Sequence, residues 1–254
     1  MKLKGWLKMK IRIDQFLVNN NYFETRQQAK TNIMAGNVLV DNEKIIKPGE
    51  MINPEKIKEI RIKTNSCKYA SRAGLKLEQA IKEMNIDFQD KIVLDVGSST
   101  GGFTDCALTY GAKEVNALDV GTNQLLYRLR NDKRVKVFEQ TNFRTIPKDF
   151  FGQKFDIIMM DVSFISISLL IENVYNNLKE DGYFVVLIKP QFEAGKEIER
   201  TKKGVIKNEK DNENVKNAVV DMIKNNGFKC ENIIKTKLKG TNGNQEYVGL
   251  FSLK

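Results

Sequence analysis

Residues 92–104 restrict the possible folds of this chain more than any other stretch. The apolar run Ile92-Val93-Leu94 leads into Asp95, and a turn containing Gly97, Gly101 and Gly102 follows. A short apolar run bounded by turn residues predicts a buried parallel strand, and residues 103–108 can begin a helix. A strand, a glycine turn and a helix in succession are typical of α/β folds that bind a nucleotide-like ligand.

The spacing of these glycines excludes two common nucleotide-binding motifs. The order G-x-x-x-G-G differs from the G-x-G-x-x-G of dinucleotide-binding folds, and no Gly-Lys-Ser/Thr follows as in a P-loop. An ordinary tight turn between a strand and a helix is the alternative from this stretch alone. The residues at the neighbouring strand ends therefore have to distinguish a ligand site from a plain turn.

Further apolar runs alternate with helical patterns after residue 70 and predict a doubly wound, Rossmann-like α/β sheet. They cover residues 115–119, 135–138, 157–161 and 184–190, with closing strands at 230–234 and 247–253 and a helix at 211–225. In such sheets the ligand lies off the carboxyl ends of the parallel strands. Those ends carry Asp95, Asp119, Asn142, Asp161 and Lys189.

This set of side chains indicates S-adenosylmethionine as the cofactor. A carboxylate such as Asp119 can accept both hydroxyl hydrogens of a ribose, and it follows Asp95 by 24 residues, where a ribose-binding acid belongs in such folds. The side chain of Asn142 can accept an adenine amino group, and a sulfonium needs nearby negative charge but no phosphate donor. The predicted cofactor contacts are Asp95, Gly97, Ser98, Ser99, Thr100, Gly101, Gly102, Phe103, Asp119, Val120, Asn142 and Asp161.

The positive charge of the chain is concentrated at its N-terminus. The formal net charge is +10, and residues 1–65 hold 13 Lys and Arg against 7 Asp and Glu, which places +6 of it there. Such a segment favours an anionic partner. The basic residues Lys10, Arg12, Arg26 and Lys30 can bind RNA phosphates; a solvated basic face is the alternative.

Composition excludes several classes of site. The chain has no histidine and three cysteines, so a Cys/His zinc site and a Ser-His-Asp triad are excluded, and we predict no metal. No apolar run approaches the 18 residues of a membrane span, and no secretory leader follows the basic start. We expect a cytoplasmic protein without a membrane partner.

The N-terminal segment resembles the RNA-binding domain first known from ribosomal protein S4. The pattern is Arg12-Ile13-Asp14-x-x-Leu17-Val18, a capping box at Thr25-Arg26-Gln27-Gln28, and Lys47-Pro48-Gly49 after a hairpin turn at Asp41-Asn42. The resemblance implies that residues 1–66 form a small α+β RNA-binding domain with an N-terminal extension at 1–8. A linker at 67–70 would lead to a methyltransferase domain at 71–254.

A second resemblance concerns Lys76, Asp161, Lys189 and Glu246, which match the Lys-Asp-Lys-Glu tetrad of FtsJ-type ribose 2′-O-methyltransferases. The surrounding motifs resemble the TlyA family of ribosomal-RNA cytidine 2′-O-methyltransferases, once called haemolysins. These motifs are Ser71-Arg72-(x)3-Lys76-Leu77, Asp161-x-Ser163-Phe164, Lys189-Pro190-Gln191-Phe192-Glu193 and Gly243-Asn244-x-Glu246-Tyr247. One departure is Ala73-Gly74, where that family usually has Gly-Ala.

The resemblance implies a role for each tetrad residue. Lys189 would accept the proton of the 2′-hydroxyl, which requires a neutral amine, and Lys76 would supply a second cation beside it. Asp161 and Glu246 would orient the two lysines. The apolar pattern that follows Ser71 predicts a helix, on which we expect Lys76 to lie on the face opposite Ala80 and Met84. Two surface ion pairs are the alternative to a catalytic tetrad.

The implied function is methyl transfer from S-adenosylmethionine to a cytidine 2′-hydroxyl in ribosomal RNA. The printed sequence ends at Lys254 soon after the last strand, which resembles the shorter type that modifies the small subunit. The alternatives are a non-enzymatic RNA-binding or ribosome assembly factor, a haemolysin and a base N-methyltransferase. The intact tetrad argues against a non-enzymatic factor, and the lack of an amphipathic or membrane segment argues against a haemolysin. The lack of prolines in residues 161–164 argues against a base N-methyltransferase.

Overall fold

The computed structural model describes residues 10–20, 22–23, 25–62, 68–240 and 242–254. The chain divides into two compact units, Met1–Cys67 and Lys68–Lys254. The fold class predicted from the sequence, a Rossmann-like α/β sheet with a small α+β domain before it, is confirmed. The residues predicted as the N-terminal extension, 1–8, lie outside the described residues.

The first unit packs two helices against short strands. Its elements are β1 (Ile11–Arg12), α1 (Ile13–Asn19), α2 (Arg26–Met34), β2 (Val38–Val40), β3 (Glu43–Ile45), β4 (Met51–Ile52) and β5 (Ile60–Ile62). The strand order β3-β2-β5 is antiparallel, and β1 pairs with β4. The predicted capping box opens α2, since Thr25 Oγ1 accepts from Gln28 N at 3.2 Å. Asp41 and Asn42 have positive φ values of 49° and 71°, which suit the predicted two-residue hairpin.

The second unit is built on a seven-stranded sheet. Its helices are α3 (Arg72–Met84), α4 (Gly102–Thr109), α5 (Tyr127–Arg130), α6 (Ile171–Asn177), α7 (Pro190–Glu193) and α8 (Glu209–Asn225). Its strands are β6 (Ile92–Val96), β7 (Glu114–Leu118), β8 (Val135–Phe138), β9 (Phe155–Met160), β10 (Leu178–Ile188), β11 (Phe228–Lys235) and β12 (Tyr247–Leu253). The order is β11-β12-β10-β9-β6-β7-β8. The five strands from β10 to β8 in that order are parallel, and β12 pairs antiparallel with both β10 and β11.

Alternate side chains of the central strands enter two separate cores, one on each face of the sheet. On β9, Ile157 and Met159 belong to the core that contains the apolar residues of α3 and α4, while Ile158 and Met160 belong to the core that contains those of α6 and α8. Successive strand residues point to opposite faces, so an uninterrupted apolar run is what a strand covered on both faces requires. This arrangement places the carboxyl ends of the parallel strands at one edge, where the predicted site residues lie.

The predicted elements agree with the structure except at their ends. The strand predicted at 184–190 begins earlier, at Leu178, and ends at Ile188, so that Lys189 immediately follows it. Among the described residues, no helix is long and apolar enough to cross a membrane.

Candidate active site

The glycine turn after β6 is shaped by close backbone contacts. Gly97 has a φ of +83°, and a Cβ there would lie 2.7 Å from the carbonyl oxygen of Asp161. A Cβ on Gly102 would lie 2.2 Å from the hydroxyl of Ser71, the N-cap of α3. Any larger residue would therefore push the turn away from β9 on one side and from α3 on the other. The three segments need glycine at both positions to meet.

A cavity of about 210 Å³ lies over this turn. Its lining residues are Ser71, Ala73, Gly97, Ser98, Ser99, Thr100, Gly102, Phe103, Asp161, Ser163 and Lys189. Seven of the predicted cofactor contacts are in this set. Sequence reasoning missed Ser71, Ala73 and Ser163 as contacts here, although Ser71 and Ser163 belong to the motifs that flank the predicted lysine and aspartate.

Asp95 lies fully buried beneath the turn. Its Oδ2 accepts from the Thr104 hydroxyl at 2.6 Å, and its Oδ1 has no hydrogen-bond partner among the described residues. Burial raises the pKa of Asp95 to about 7, and the Thr104 hydrogen bond opposes that rise. A buried carboxylate oxygen without a donor is costly. Asp95 is nevertheless outside the lining of the cavity over the turn, so its contact with a cofactor stays a prediction.

The remaining predicted cofactor residues lie around the turn and differ in what they do. Asp119 accepts from Ser99 N and Gly121 N, both at 2.8 Å, so its carboxylate ties the turn to the loop after β7. Val120 is exposed. Gly101 packs against Leu125 and Leu129, whose side chains leave no room for a Cβ at this position.

Asn142 makes a local hydrogen bond that the sequence did not predict, and its contact with adenine stays a prediction. Its Oδ1 accepts from Arg144 N at 3.0 Å and caps a short 3-10 helix, and Asn142 is outside the lining of the cavity over the glycine turn. Asparagine readily makes this local bond to the backbone two residues on. The same carboxamide oxygen therefore already has a donor in this structure.

The four predicted tetrad residues form two ion pairs. Lys76 on α3 donates to Glu246, which precedes β12, and their side chains are only 9% and 4% exposed. Lys189 Nζ lies 2.6 Å from Asp161 Oδ1, an ion pair by distance whose angle does not make a hydrogen bond, and donates to Ser163 Oγ at 2.9 Å. Both lysines are thus held by carboxylates at the carboxyl edge of the sheet.

The expectation that Lys76 lies on the helix face opposite Ala80 is wrong. Lys76 and Ala80 are both buried, and residues four apart lie on the same face of a helix. The lysine is therefore directed into the protein, where Glu246 accepts its hydrogen bond. An exposed pair is excluded for these two residues.

All four charged residues line one cavity of about 350 Å³, together with Ser71, Arg72, Ala73, Lys239 and Gly240. Asp161 and Lys189 also line the cavity over the glycine turn. The two cavities therefore meet at the Asp161–Lys189 pair. A group bound over the turn and a group bound between the lysines would approach each other at this point.

A third cavity, of about 470 Å³, opens on the other side of Lys189. Phe164 is 89% exposed with a φ of +64°, and its ring lies 4.8 Å from that of Phe192. Gln191 Nε2 donates to Glu246 Oε1 at 3.1 Å, so it orients the carboxylate that holds Lys76. Sequence reasoning quoted these residues within motifs but assigned them no role.

In the first unit the predicted RNA-binding arginines converge on one acid. Asp14 accepts from Arg12 Nε at 3.1 Å and from Arg26 Nε at 3.0 Å. The hydrogen bond from Arg12 is the largest cause that lowers the pKa of Asp14 to about 2, and that from Arg26 adds to it. Lys10 is exposed and Lys30 is partly buried.

Known proteins share both units. Residues 69–252 match the FtsJ-like methyltransferase family, and residues 11–57 match the S4 domain. The 23S rRNA (cytidine-2′-O)-methyltransferase TlyA of Campylobacter jejuni is 40% identical over 80% of this chain and 79% of its own length. The 16S/23S rRNA (cytidine-2′-O)-methyltransferase TlyA of Mycobacterium tuberculosis is 38% identical over 73% of this chain and 69% of its own.

A solved structure of a hemolysin-named protein from Streptococcus thermophilus is 39% identical, with a TM-score of 0.72 over 98% of this chain and 90% of that one. The family match covers most of the second unit, and the relatives span both units. The chain therefore belongs to the FtsJ-like methyltransferase family, in the group that includes the TlyA enzymes, and carries an S4 domain ahead of the methyltransferase domain.

Proposed function

We propose that this enzyme transfers a methyl group from S-adenosylmethionine to the ribose 2′-hydroxyl of a cytidine in ribosomal RNA. The observation that carries the proposal is the meeting of two cavities at Asp161 and Lys189, one over the glycine turn and one between two lysines. Methyl transfer needs a donor site and an acceptor site in contact. The cytidine and the ribosomal RNA come from the names of the relatives.

The residues present fit S-adenosylmethionine. The lining carboxylate Asp161 supplies negative charge, which suits a cofactor that carries an ammonium and a sulfonium. Beneath the turn, the buried Oδ1 of Asp95 has no hydrogen-bond partner among the described residues and could accept from such an ammonium. Residues Gly97 to Gly102 would hold it from below. Each oxygen of Asp119 already accepts one backbone N–H, and Asp119 would use its remaining lone pairs for ribose hydroxyls. When bound, this cofactor supplies an electrophilic methyl group on sulfur.

The chain's own residues would prepare the ribose hydroxyl for attack. A ribose hydroxyl is a weak nucleophile, so it needs a base and a fixed direction of approach. Lys189 Nζ would take the hydroxyl proton, and Lys76 Nζ would donate a hydrogen bond to the same oxygen. Asp161 and Glu246 hold the ends of the two lysine side chains in place.

The base must be neutral when it acts, because an ammonium has no lone pair. In the structure Lys189 Nζ donates to Ser163 Oγ and lies 2.6 Å from Asp161 Oδ1, and the residue lines both cavities. A base at this position would lie between the methyl donor and a hydroxyl bound between the lysines.

The exposed ring of Phe164 next to Phe192 offers a stacking surface beside the same lysine. Bases splayed out of a helix stack on such aromatic side chains, and an enzyme that modifies a nucleotide often extrudes it from the helix first. We therefore propose that the target nucleotide leaves its helix to enter the site. Ribosomal RNA as the substrate would place the enzyme in the cytoplasm.

The target subunit stays a prediction. The sequence suggested the small subunit, whereas the relatives are named for 23S rRNA alone and for 16S with 23S rRNA. Purified 30S and 50S subunits, each offered separately with methyl-labelled S-adenosylmethionine, would show which is modified. Methylation of the large subunit alone would contradict the small-subunit expectation while leaving the proposed chemistry intact.

The chemistry itself is tested by Lys189→Ala. Nuclease digestion of the labelled RNA should yield 2′-O-methylcytidine with the wild-type enzyme and about 10²- to 10⁴-fold less with the variant, as expected for a lost general base. Calorimetry should still detect S-adenosylmethionine binding. Lys229→Ala, which changes an exposed lysine of β11, is the matched control. Full activity of Lys189→Ala, or methyl label on the base, would contradict the proposal.

A further inference from the structure

One buried carboxylate in the first unit holds two half-exposed arginines. Asp14 Oδ1 accepts from Arg12 Nε at 3.1 Å, and Asp14 Oδ2 accepts from Arg12 Nη2 and Arg26 Nε, each at 3.0 Å. The side chain of Asp14 is 0% exposed, whereas those of Arg12 and Arg26 are 41% and 49% exposed. The acid therefore faces the core, and both guanidinium groups reach the surface.

Each arginine keeps donors that this arrangement does not use. Among the described residues, no hydrogen bond engages Nη1 of Arg12 or either terminal nitrogen of Arg26. Arg12 Nη1 also lies close to Gly49, where a Cβ would stand 3.2 Å away, so the glycine leaves room for the guanidinium. A guanidinium presents five N–H groups in a planar fork that matches phosphate geometry.

We propose that Asp14 is a positioning residue that preorganises Arg12 and Arg26 as a pair for the phosphates of structured RNA. An arginine that is mobile when free loses side-chain freedom on binding. Two arginines held by one acid have already lost this side-chain freedom before RNA binds. Less of the free energy of their phosphate contacts is then offset by ordering, and the affinity is higher. The inference rests on the proposed function only in taking RNA as the anion.

Asp14→Asn separates preorganisation from simple charge, because the two accounts predict opposite signs. The substitution removes one negative charge from the unit, and electrostatics alone would therefore strengthen RNA binding. It also removes the carboxylate that binds both guanidiniums, and loss of preorganisation would weaken binding by about two- to tenfold for each arginine released. Weaker binding by a more positive protein is the expected result.

The experiment uses the full-length chain and deproteinised ribosomal RNA in a filter-binding assay at fixed salt. Glu59→Gln is the matched control, since it makes the same charge change at an exposed acid whose Oε2 lies 3.6 Å from Arg61 Nε. Its affinity should equal or slightly exceed that of the wild type. Circular dichroism verifies that each variant is folded.

Equal or tighter binding by a folded Asp14→Asn variant would overturn the inference. If that variant does not fold, ¹⁵N relaxation of the arginine Nε–H groups in the RNA-free wild-type chain decides. Motion more restricted at Arg12 and Arg26 than at the exposed Arg61 supports the inference, and equal mobility at all three overturns it. Failure of the wild-type chain to bind ribosomal RNA is a different result, which would overturn the proposed function itself.

Discussion

Removal of Glu246 should destabilise the methyltransferase unit strongly, because it would leave Lys76 buried without its counter-ion. The side chains of Glu246 and Lys76 are only 4% and 9% exposed, so the energetics of a buried salt bridge apply to this pair. Breaking a buried pair by removing one partner costs about 3 to 5 kcal/mol. A domain has only about 5 to 15 kcal/mol of stability, so Glu246→Ala should remove between about a fifth and all of it.

Two further variants separate this cause from others. Glu199→Ala breaks an exposed pair with Lys207, at 77% and 50% exposure, and should cost no more than about 1 kcal/mol. The double variant Lys76→Met/Glu246→Leu replaces both charges by apolar groups and should be within about 1 kcal/mol of the wild type, or above it. It should nevertheless have no methyltransferase activity, since the proposed mechanism uses Lys76.

Urea unfolding followed by circular dichroism measures the free energy, and hydrogen–deuterium exchange of peptides from α3 assigns the loss to the methyltransferase unit. The single tryptophan, Trp6, lies outside that unit, so its fluorescence would not serve. A loss under about 1 kcal/mol for Glu246→Ala, equal to that of Glu199→Ala, would refute the buried-pair account. A double variant as unstable as Glu246→Ala would show that the unpaired charge of Lys76 is not the cause of the effect.

Three other outcomes follow from the same geometry. Because the folded pKa of Asp14 is lowered to about 2, its carboxylate should stabilise the first unit by about 2 kcal/mol above pH 4, and this stability should be lost as the pH falls toward 2. Hydrogen-exchange protection factors of the α1 amides, corrected for the intrinsic exchange rate, that stay flat between pH 5 and pH 2.5 would contradict it. Because burial raises the pKa of Asp95 to about 7, Asp95→Asn should stabilise the cofactor-free enzyme at pH 8 by up to about 4 kcal/mol, as thermal melting would show. Calorimetry should show that the same variant binds S-adenosylmethionine more weakly. A variant less stable than the wild type would contradict this expectation. Lys189→Arg should be as inactive as Lys189→Ala, because an arginine side chain stays charged and cannot accept a proton. An active Lys189→Arg variant in the methyl-transfer assay would mean that a positive charge at this position is sufficient.

The sequence predicted those features that depend on local patterns. The apolar run before Asp95 and the glycines after it predicted a strand and a close turn, and the structure has both. The Thr25 capping box and the Asp41-Asn42 turn were also predicted correctly, since both depend on residues close in the chain. The resemblance to FtsJ-type enzymes predicted the charged tetrad, whose members the structure brings to one cavity.

What the sequence did not predict depends on which of several possible partners a polar side chain contacts in the folded protein. Lys76 is directed inward because Glu246, 170 residues later, lies beside it, and no helical pattern contains that information. Asn142 was expected to meet adenine, but a backbone N–H two residues away is a nearer donor. Asp14 lies in a helix whose apolar residues are its neighbours, so only its two arginine partners explain its burial.

The most direct test of the central claim is a nucleotide-resolution map of 2′-O-methylation in ribosomal RNA from cells with and without this gene. We predict that at least one cytidine loses its 2′-O-methyl group in the deletion strain, and that the wild-type gene restores it while a Lys189→Ala copy does not. Identical maps from the two strains, or restoration by the Lys189→Ala copy, would contradict the assignment of this chain as a ribose methyltransferase with Lys189 as its base.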